Sequence, residues 1–269
     1  MLHKFPYSTY LNTPNMISMN PKYLVAIALS SLIVLSGCAT TMASKADPLE
    51  GLNRATYAFN DAIDEAVFKP VAKGYQAVTP GFFRAGVTNL FTNIGDVATA
   101  MNNLLQGKGG DAASDAGRFL VNSTLGVLGL FDVATPMGLE KHDEDFGQTL
   151  GKWGVNSGPF LMLPLMGPST LRDAASRPVD AYAGYSHYVD HIPSRNSAFA
   201  LEIIDLRANL LGASSTLDTA ALDKYQFIRD AYLQRRLRSV YDGKAPQEKL
   251  DQLEDDLSPP RAEAKDPKK

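Results

Sequence analysis

One cysteine in 269 residues, Cys38, leaves no disulfide framework and no thiolate zinc site. Positive charge is not in excess: 26 Lys and Arg stand against 29 Asp and Glu, with no basic stripe, so nucleic acid is excluded as a partner. No Gly-x-Ser-x-Gly elbow and no dinucleotide fingerprint occur, and Gly107-Lys108-Gly109-Gly110 lacks the Walker spacing. The chain therefore offers no catalytic residue, no metal set and no cofactor site, and it is expected not to be an enzyme. Long apolar runs are missing as well. The longest, about 13 residues from Tyr23 to Leu35, falls short of the roughly 20 that a spanning helix needs.

That run has a different meaning. Lys22 precedes it and Leu35-Ser36-Gly37-Cys38 closes it, which is the charge, apolar stretch and small residues of a secretory signal. The closing tetrapeptide resembles the bacterial lipobox. The resemblance implies cleavage before Cys38, a diacylglycerol on its thiol and an acyl group on the new amine, and several acyl chains give stable anchoring. Ala39 in second place, rather than Asp, favours the outer membrane. Residues 1–37 are thus read as signal peptide, with Met16 and Met19 as alternative starts, and 38–46 as a lipidated tether.

Asp47-Pro48-Leu49-Glu50 has the form of a helix start, with Asp47 as cap and Pro48 in the first turn. Leu52, Thr56, Phe59, Ile63 and Val67 continue at helical spacing to Pro70, and Thr79-Pro80-Gly81 breaks the next short helix. A helix from Phe82 is interrupted at Gly95 and recapped by Asp96; Gly107 stops it, and Asp111 opens another. Further helices run over about 197–211 and 222–240. The first of these has a wide apolar arc suited to deep burial or to lipid. From Lys244 to Lys269 the Pro, Glu, Asp and Lys content predicts a disordered tail. The class is all-α, one domain over 47–243, with one irregular Gly/Pro-rich segment at 146–167 that predicts a hairpin or loop with an apolar tip.

Four features invite functional readings. His187 and His191 at i, i+4 could share a helix face, but are read as surface histidines. Glu140 to Asp145 is acidic around His142, and reads as a solvated loop with Asp145 as a helix cap. Trp153 suits either a membrane interface or a core. The apolar runs 127–131 and 160–166 are too short to span, and periodicity favours core over dipping into a leaflet.

Several ordered stretches resemble the MlaA (VacJ) family of outer-membrane lipoproteins: Asp47-Pro48-Leu49-Glu50-Gly51-Leu52-Asn53-Arg54, Asn102-Asn103-Leu104-Leu105-Gln106-Gly107 and Arg118-Phe119-Leu120-Val121-Asn122-Ser123. Phe131-Asp132-Val133-Ala134, Phe146-Gly147-Gln148-Thr149-Leu150-Gly151, Gly158-Pro159-Phe160 and Arg229-Asp230-Ala231-Tyr232 extend the match across 47–243. The resemblance implies a ring of helices embedded in one leaflet, often beside a trimeric porin. Phospholipid mislocalised to the outer leaflet would cross a polar channel in that ring and pass to a soluble periplasmic carrier. A lipoprotein that only scaffolds a porin or envelope partner is the alternative. Within this picture the Gly/Pro segment is a candidate gate, carried by Phe146, Gly147, Gly151, Trp153, Gly154, Gly158, Pro159, Leu163 and Pro164. Periodicity picks out no channel-lining residue.

Overall fold

The computed structural model describes residues 44–258. The signal peptide and Cys38 lie outside the described residues. Helix α1, Glu50–Ile63, continues through a π-helical turn, Asp64–Phe68, into α2, Lys69–Val78. Pro70 therefore does not end the helix as expected. A proline clashes with the carbonyl four residues back, and the wider π turn just ahead of it opens that spacing. Thr79-Pro80 does end α2, and α3 runs over Gly81–Leu105. It is continuous through Gly95: Asp96 is buried against Arg118 at 3.5 Å instead of capping a second helix.

Helix α4 spans Gly109–Thr124 and α5 spans Phe146–Lys152. A two-stranded antiparallel hairpin follows, β1 Phe160–Leu163 and β2 Gly167–Thr170, with Phe160 opposite Thr170. Helices α6, Leu171–Ala183, α7, Ile192–Ala220, α8, Lys224–Val240, and α9, Gln247–Leu257, complete the chain. Asp145, Thr170 and Asp223 each cap a helix by accepting from the backbone N–H three residues on. Among the described residues no helix is long and apolar enough to cross a membrane.

Neighbouring elements close a circuit. The continuous α1–α2 rod packs on α7, α7 on α3, α3 on α5, α5 on α6, α6 on the hairpin, and β1 back on α1. The architecture is an all-α ring with one small hairpin, as expected. Helix α9 contradicts the disordered tail over 247–257. Its few apolar residues fall on one face, and Leu253 and Leu257 pack against the cluster of Phe160, Met162, Tyr225 and Leu233. The tether also ends earlier than expected. Ser44 is buried, and Ala46 is held on both sides: its N–H donates to Asp256 (3.1 Å) and its carbonyl accepts from Phe160 N–H (2.9 Å).

Asp47 caps nothing. It is fully buried, with its carboxylate accepting from Asn53 Nδ2 (2.8 Å) and the Tyr225 hydroxyl, and 3.5 Å from Arg229. Asn53 in turn grips β1, donating to the Phe160 carbonyl (3.0 Å) and accepting from Met162 N–H (2.8 Å). Seven residues on, two turns along the same helix, Asn60 repeats the grip on the Leu163 carbonyl (2.9 Å) and Leu165 N–H (2.8 Å). The two carboxamides pair with the outer edge of β1 as a neighbouring strand would.

Polarity is inverted relative to a water-soluble domain. Among the described residues, buried polar and charged side chains outnumber buried apolar ones two to one, and five of the ten buried apolar residues are alanine. Large apolar side chains stand outside instead: Phe59, Val78, Phe82, Phe83, Leu104, Leu120, Phe199 and Leu222 are exposed. The run 127–131, expected in the core, is on the surface, with Leu128 73% exposed. Periodicity cannot separate a core from a hydrocarbon solvent, because both accept apolar side chains. The run 160–166 divides: Phe160 and Met162 point inward, while Leu165 and Met166 form an exposed tip. Contiguous exposed apolar surface on this scale marks a membrane or partner interface.

Asn53→Ala leaves the buried Phe160 carbonyl and Met162 N–H without partners. It is expected to cost about 2–4 kcal/mol, read as a lowered thermal midpoint in detergent by circular dichroism. An unchanged midpoint would refute the role given to Asn53.

Candidate functional site

The nine candidate gate residues do not form one unit. Phe146, Gly147 and Gly151 belong to α5, a regular helix where an irregular segment was expected, and Trp153 and Gly154 form its C-terminal turn. Gly147 and Gly151 are positions of close approach, not points of flexibility. A Cβ on Gly147 would stand 2.5 Å from Arg236 Nη2 and 2.6 Å from Asp173 Oδ1. On Gly151 it would stand 2.6 Å from Arg172 Nη1 and 2.9 Å from Val240 Cγ2. Phe146 N–H donates to Asp180 (2.9 Å). Trp153 is exposed, its Nε1 donating to the Leu105 carbonyl (3.1 Å) and its ring set edge-on to Phe146.

Gly154 and Gly158 take left-handed backbone angles, φ +94° and +68°, and shape the linker into the hairpin. The Pro159 carbonyl accepts from Leu171 N–H (3.0 Å), while Leu163 and the exposed Pro164 stand at the far end, beside Asn60. The structure thus divides the segment into an anchored helix and a hairpin with an exposed tip.

The anchor is electrostatic. Arg236 on α8 donates to both oxygens of Asp145 and, through Nη2, to Asp173 at 2.9 Å; Tyr232 donates to the other Asp173 oxygen at 2.8 Å. Burial alone would raise both carboxylates, but hydrogen bonds and charge from Arg236 outweigh it and hold them below the usual range. A second buried cation, Arg118 on α4, donates to Asp132, Thr135 and the Leu139 carbonyl, fixing the connection between α4 and α5. Hydrogen bonds from Thr135 and Arg118 overcome desolvation to hold Asp132 down to about 2, whereas burial pushes Asp96 up to about 6.

Beside the hairpin a cavity of about 450 Å³ opens between α1, the π turn, α7 and α8. Its wall is apolar, with Met162, Leu210, Leu217, Phe227 and Ile228. Its rim is charged. Arg207 on α7 grips Asp64 of the π turn through Nε (2.6 Å) and Nη2 (2.7 Å). Lys69 joins Glu65 to Asp218 (3.5 Å), and Lys224 pairs with Asp218 (2.5 Å). An apolar wall under a charged rim suits a molecule with a tail and a headgroup. Sequence reading named none of these rim residues. The available signal was the acidic series Asp61, Asp64, Glu65 at helical spacing.

The remaining sequence candidates are structural. His187 lies in a 3-10 turn, Tyr185–His187, stacked on Tyr182, and His191 precedes α7, so the two imidazoles do not share a helix. His142 sits on the buried Asp115 (3.1 Å), Glu144 pairs with Lys108 (2.9 Å), and Asp145 caps α5. Among the described residues no group of His, Cys, Asp and Glu could hold a metal ion.

The family model described as MlaA lipoprotein matches residues 45–239, the span that contains the ring and the hairpin. The chain belongs to this family. An intermembrane phospholipid transport system lipoprotein of Shigella flexneri is 35% identical, over 79% of this chain and 86% of that protein. The corresponding Haemophilus influenzae protein is 31% identical, over 87% of this chain and 96% of its own length. An uncharacterized Rickettsia bellii protein is 37% identical, over 72% of this chain and 76% of that one. A solved structure from work on the structural basis for maintenance of bacterial outer membrane lipid asymmetry superposes with a TM-score of 0.64. It is 33% identical, covering 72% of this chain and 98% of that one.

The Arg236 cluster makes a pH-dependent contribution to stability. The folded pKa values of Asp145 and Asp173 lie below those of the unfolded chain. Their stabilisation is therefore complete above the unfolded value of about 4 and is lost as pH falls through the folded values. Arg236→Met is expected to cost about 3 kcal/mol in urea unfolding at pH 7. The gap from wild type should shrink at pH 3.5; a gap that stays constant would show that the carboxylates are not held by Arg236.

Proposed function

We propose that this chain keeps phospholipid out of the outer leaflet of a Gram-negative outer membrane. It would accept mislocalised phospholipid in the cavity beside the hairpin and release it on the periplasmic side. The observation that carries the reading is the inverted polarity: large apolar side chains stand outside and suit hydrocarbon, polar groups are buried, and the cavity sets charged groups at the rim of an apolar wall. Exposing a phosphate to acyl chains is costly, so a headgroup needs such a path. Moving a lipid breaks no covalent bond, and no catalytic group is required. A trimeric porin beside the apolar exterior, and a soluble periplasmic carrier to receive the lipid, are the partners the family resemblance supplies.

The lipid anchor on Cys38 is part of the proposal. Deletion of the gene should raise surface-accessible phospholipid, with restoration by the wild-type chain and not by Cys38→Ala. Unchanged surface phospholipid with loss of an envelope partner would replace transport by scaffolding.

The gate is narrowed to the hairpin, because α5 is fixed by Arg236 while the tip is held mainly by Asn60. Asn60→Cys with Leu165→Cys should, once oxidised, stop lipid removal, and reductant should restore it. Removal that continues through a confirmed cross-link would show that the hairpin does not move.

A further inference from the structure

The cavity rim carries an imbalance of charge that lipid handling as such does not need. Resting on the reading above, we infer that the rim selects zwitterionic phospholipid over net-anionic phospholipid, and that Asp61 sets the preference. Four carboxylates line the cavity: Asp61, Asp64, Glu65 and Asp218. Three cations face them: Lys69, Arg207 and Lys224. One negative charge is in excess, and its place is defined. Arg207 is taken by Asp64, Lys69 by Glu65 and Asp218, and Lys224 by Asp218. Among the described residues Asp61 alone of the four has no ion pair.

Asp61 nevertheless acts on this corner. It lines the same cavity as Lys224 and Tyr57, and its charge favours the Lys224 ammonium and is, after desolvation, the largest influence raising the Tyr57 hydroxyl. Asp61 and Lys224 thus place a carboxylate and an ammonium on one rim with no ion pair between them. A zwitterionic headgroup has the complementary pair. Its ammonium meets Asp61, and its phosphate, a few ångströms along the headgroup, shares Lys224 with Asp218, which stands 2.5 Å from Lys224 and 3.5 Å from Lys69.

A glycerol headgroup brings the same phosphate into a rim already negative and offers Asp61 no partner. The apolar wall of Met162, Leu210 and Phe227 serves both lipids alike, so the discrimination falls on the rim. Exposure and salt screening keep the effect moderate, about threefold in affinity, as for a partly exposed ion pair.

The test uses the full chain in neutral detergent, titrated calorimetrically with dihexanoyl phosphatidylethanolamine and with dihexanoyl phosphatidylglycerol. The ethanolamine lipid should bind about threefold more tightly at low salt, and the ratio should narrow at high salt. Asp61→Asn should bring the ratio to one, while Asp61→Glu should preserve it. Equal binding of the two lipids by the wild type, or an unchanged ratio in Asp61→Asn, overturns the selection and leaves lipid handling standing. Binding of neither lipid would overturn the lipid-handling reading itself, and this inference with it.

Discussion

A strand edge shut away from water must have its backbone satisfied from within the protein, because an apolar interior offers neither donors nor acceptors. β1 has β2 on one side and no third strand on the other. Asn53 and Asn60 fill that side with their carboxamides, and Ala46 supplies the remaining acceptor. This one arrangement orients much else. Asn53 is itself held by Asp47, and Asp47 by Tyr225 and Arg229, so α1, the hairpin and α8 meet at a single buried junction. The cavity exists because these three elements are joined there while α7 stands off behind charged side chains.

The same logic recurs where helices meet. In the proposed setting, with hydrocarbon outside, apolar side chains would gain nothing by turning inward, and polar contacts would become the means of association. Arg118 gathers Asp132, Thr135 and the Leu139 carbonyl between α4 and the segment after it, and Arg236 gathers Asp145 and Asp173 between α8, α5 and α6. Buried ion pairs often balance desolvation against attraction with little net gain. Their service here is to fix one arrangement of helices whose outward faces have no preference among themselves.

Much of this was legible in the residues. Pro80, Gly107 and the cap at Asp145 punctuate the chain as local chemistry predicts. The hairpin was legible from its glycines and prolines. What failed was any inference that needed a distant partner. Asp47 has the local context of a cap, and only the fold brings Tyr225 and Arg229 to it. Gly147 and Gly151 read as helix breakers, yet they make room for Arg236 and Arg172. Asn53 and Asn60 carried no local signal, since their ligand is backbone about a hundred residues away. The run 127–131 read as core because an apolar pattern does not say which side holds the solvent.

The interior of small alanines, carboxylates and carboxamides has a thermodynamic consequence. In a water-soluble domain, unfolding exposes apolar surface to water, and the heat capacity rises steeply. Here many large apolar side chains already face outward in the native state, and in a bilayer they would face hydrocarbon before and after unfolding. The heat-capacity increment of unfolding in lipid is therefore small, and the dome of stability against temperature flattens. A fold built this way is protected from cold denaturation by the feature that makes it unfit for water. Its stability follows the lipid around it more closely than it follows the thermometer.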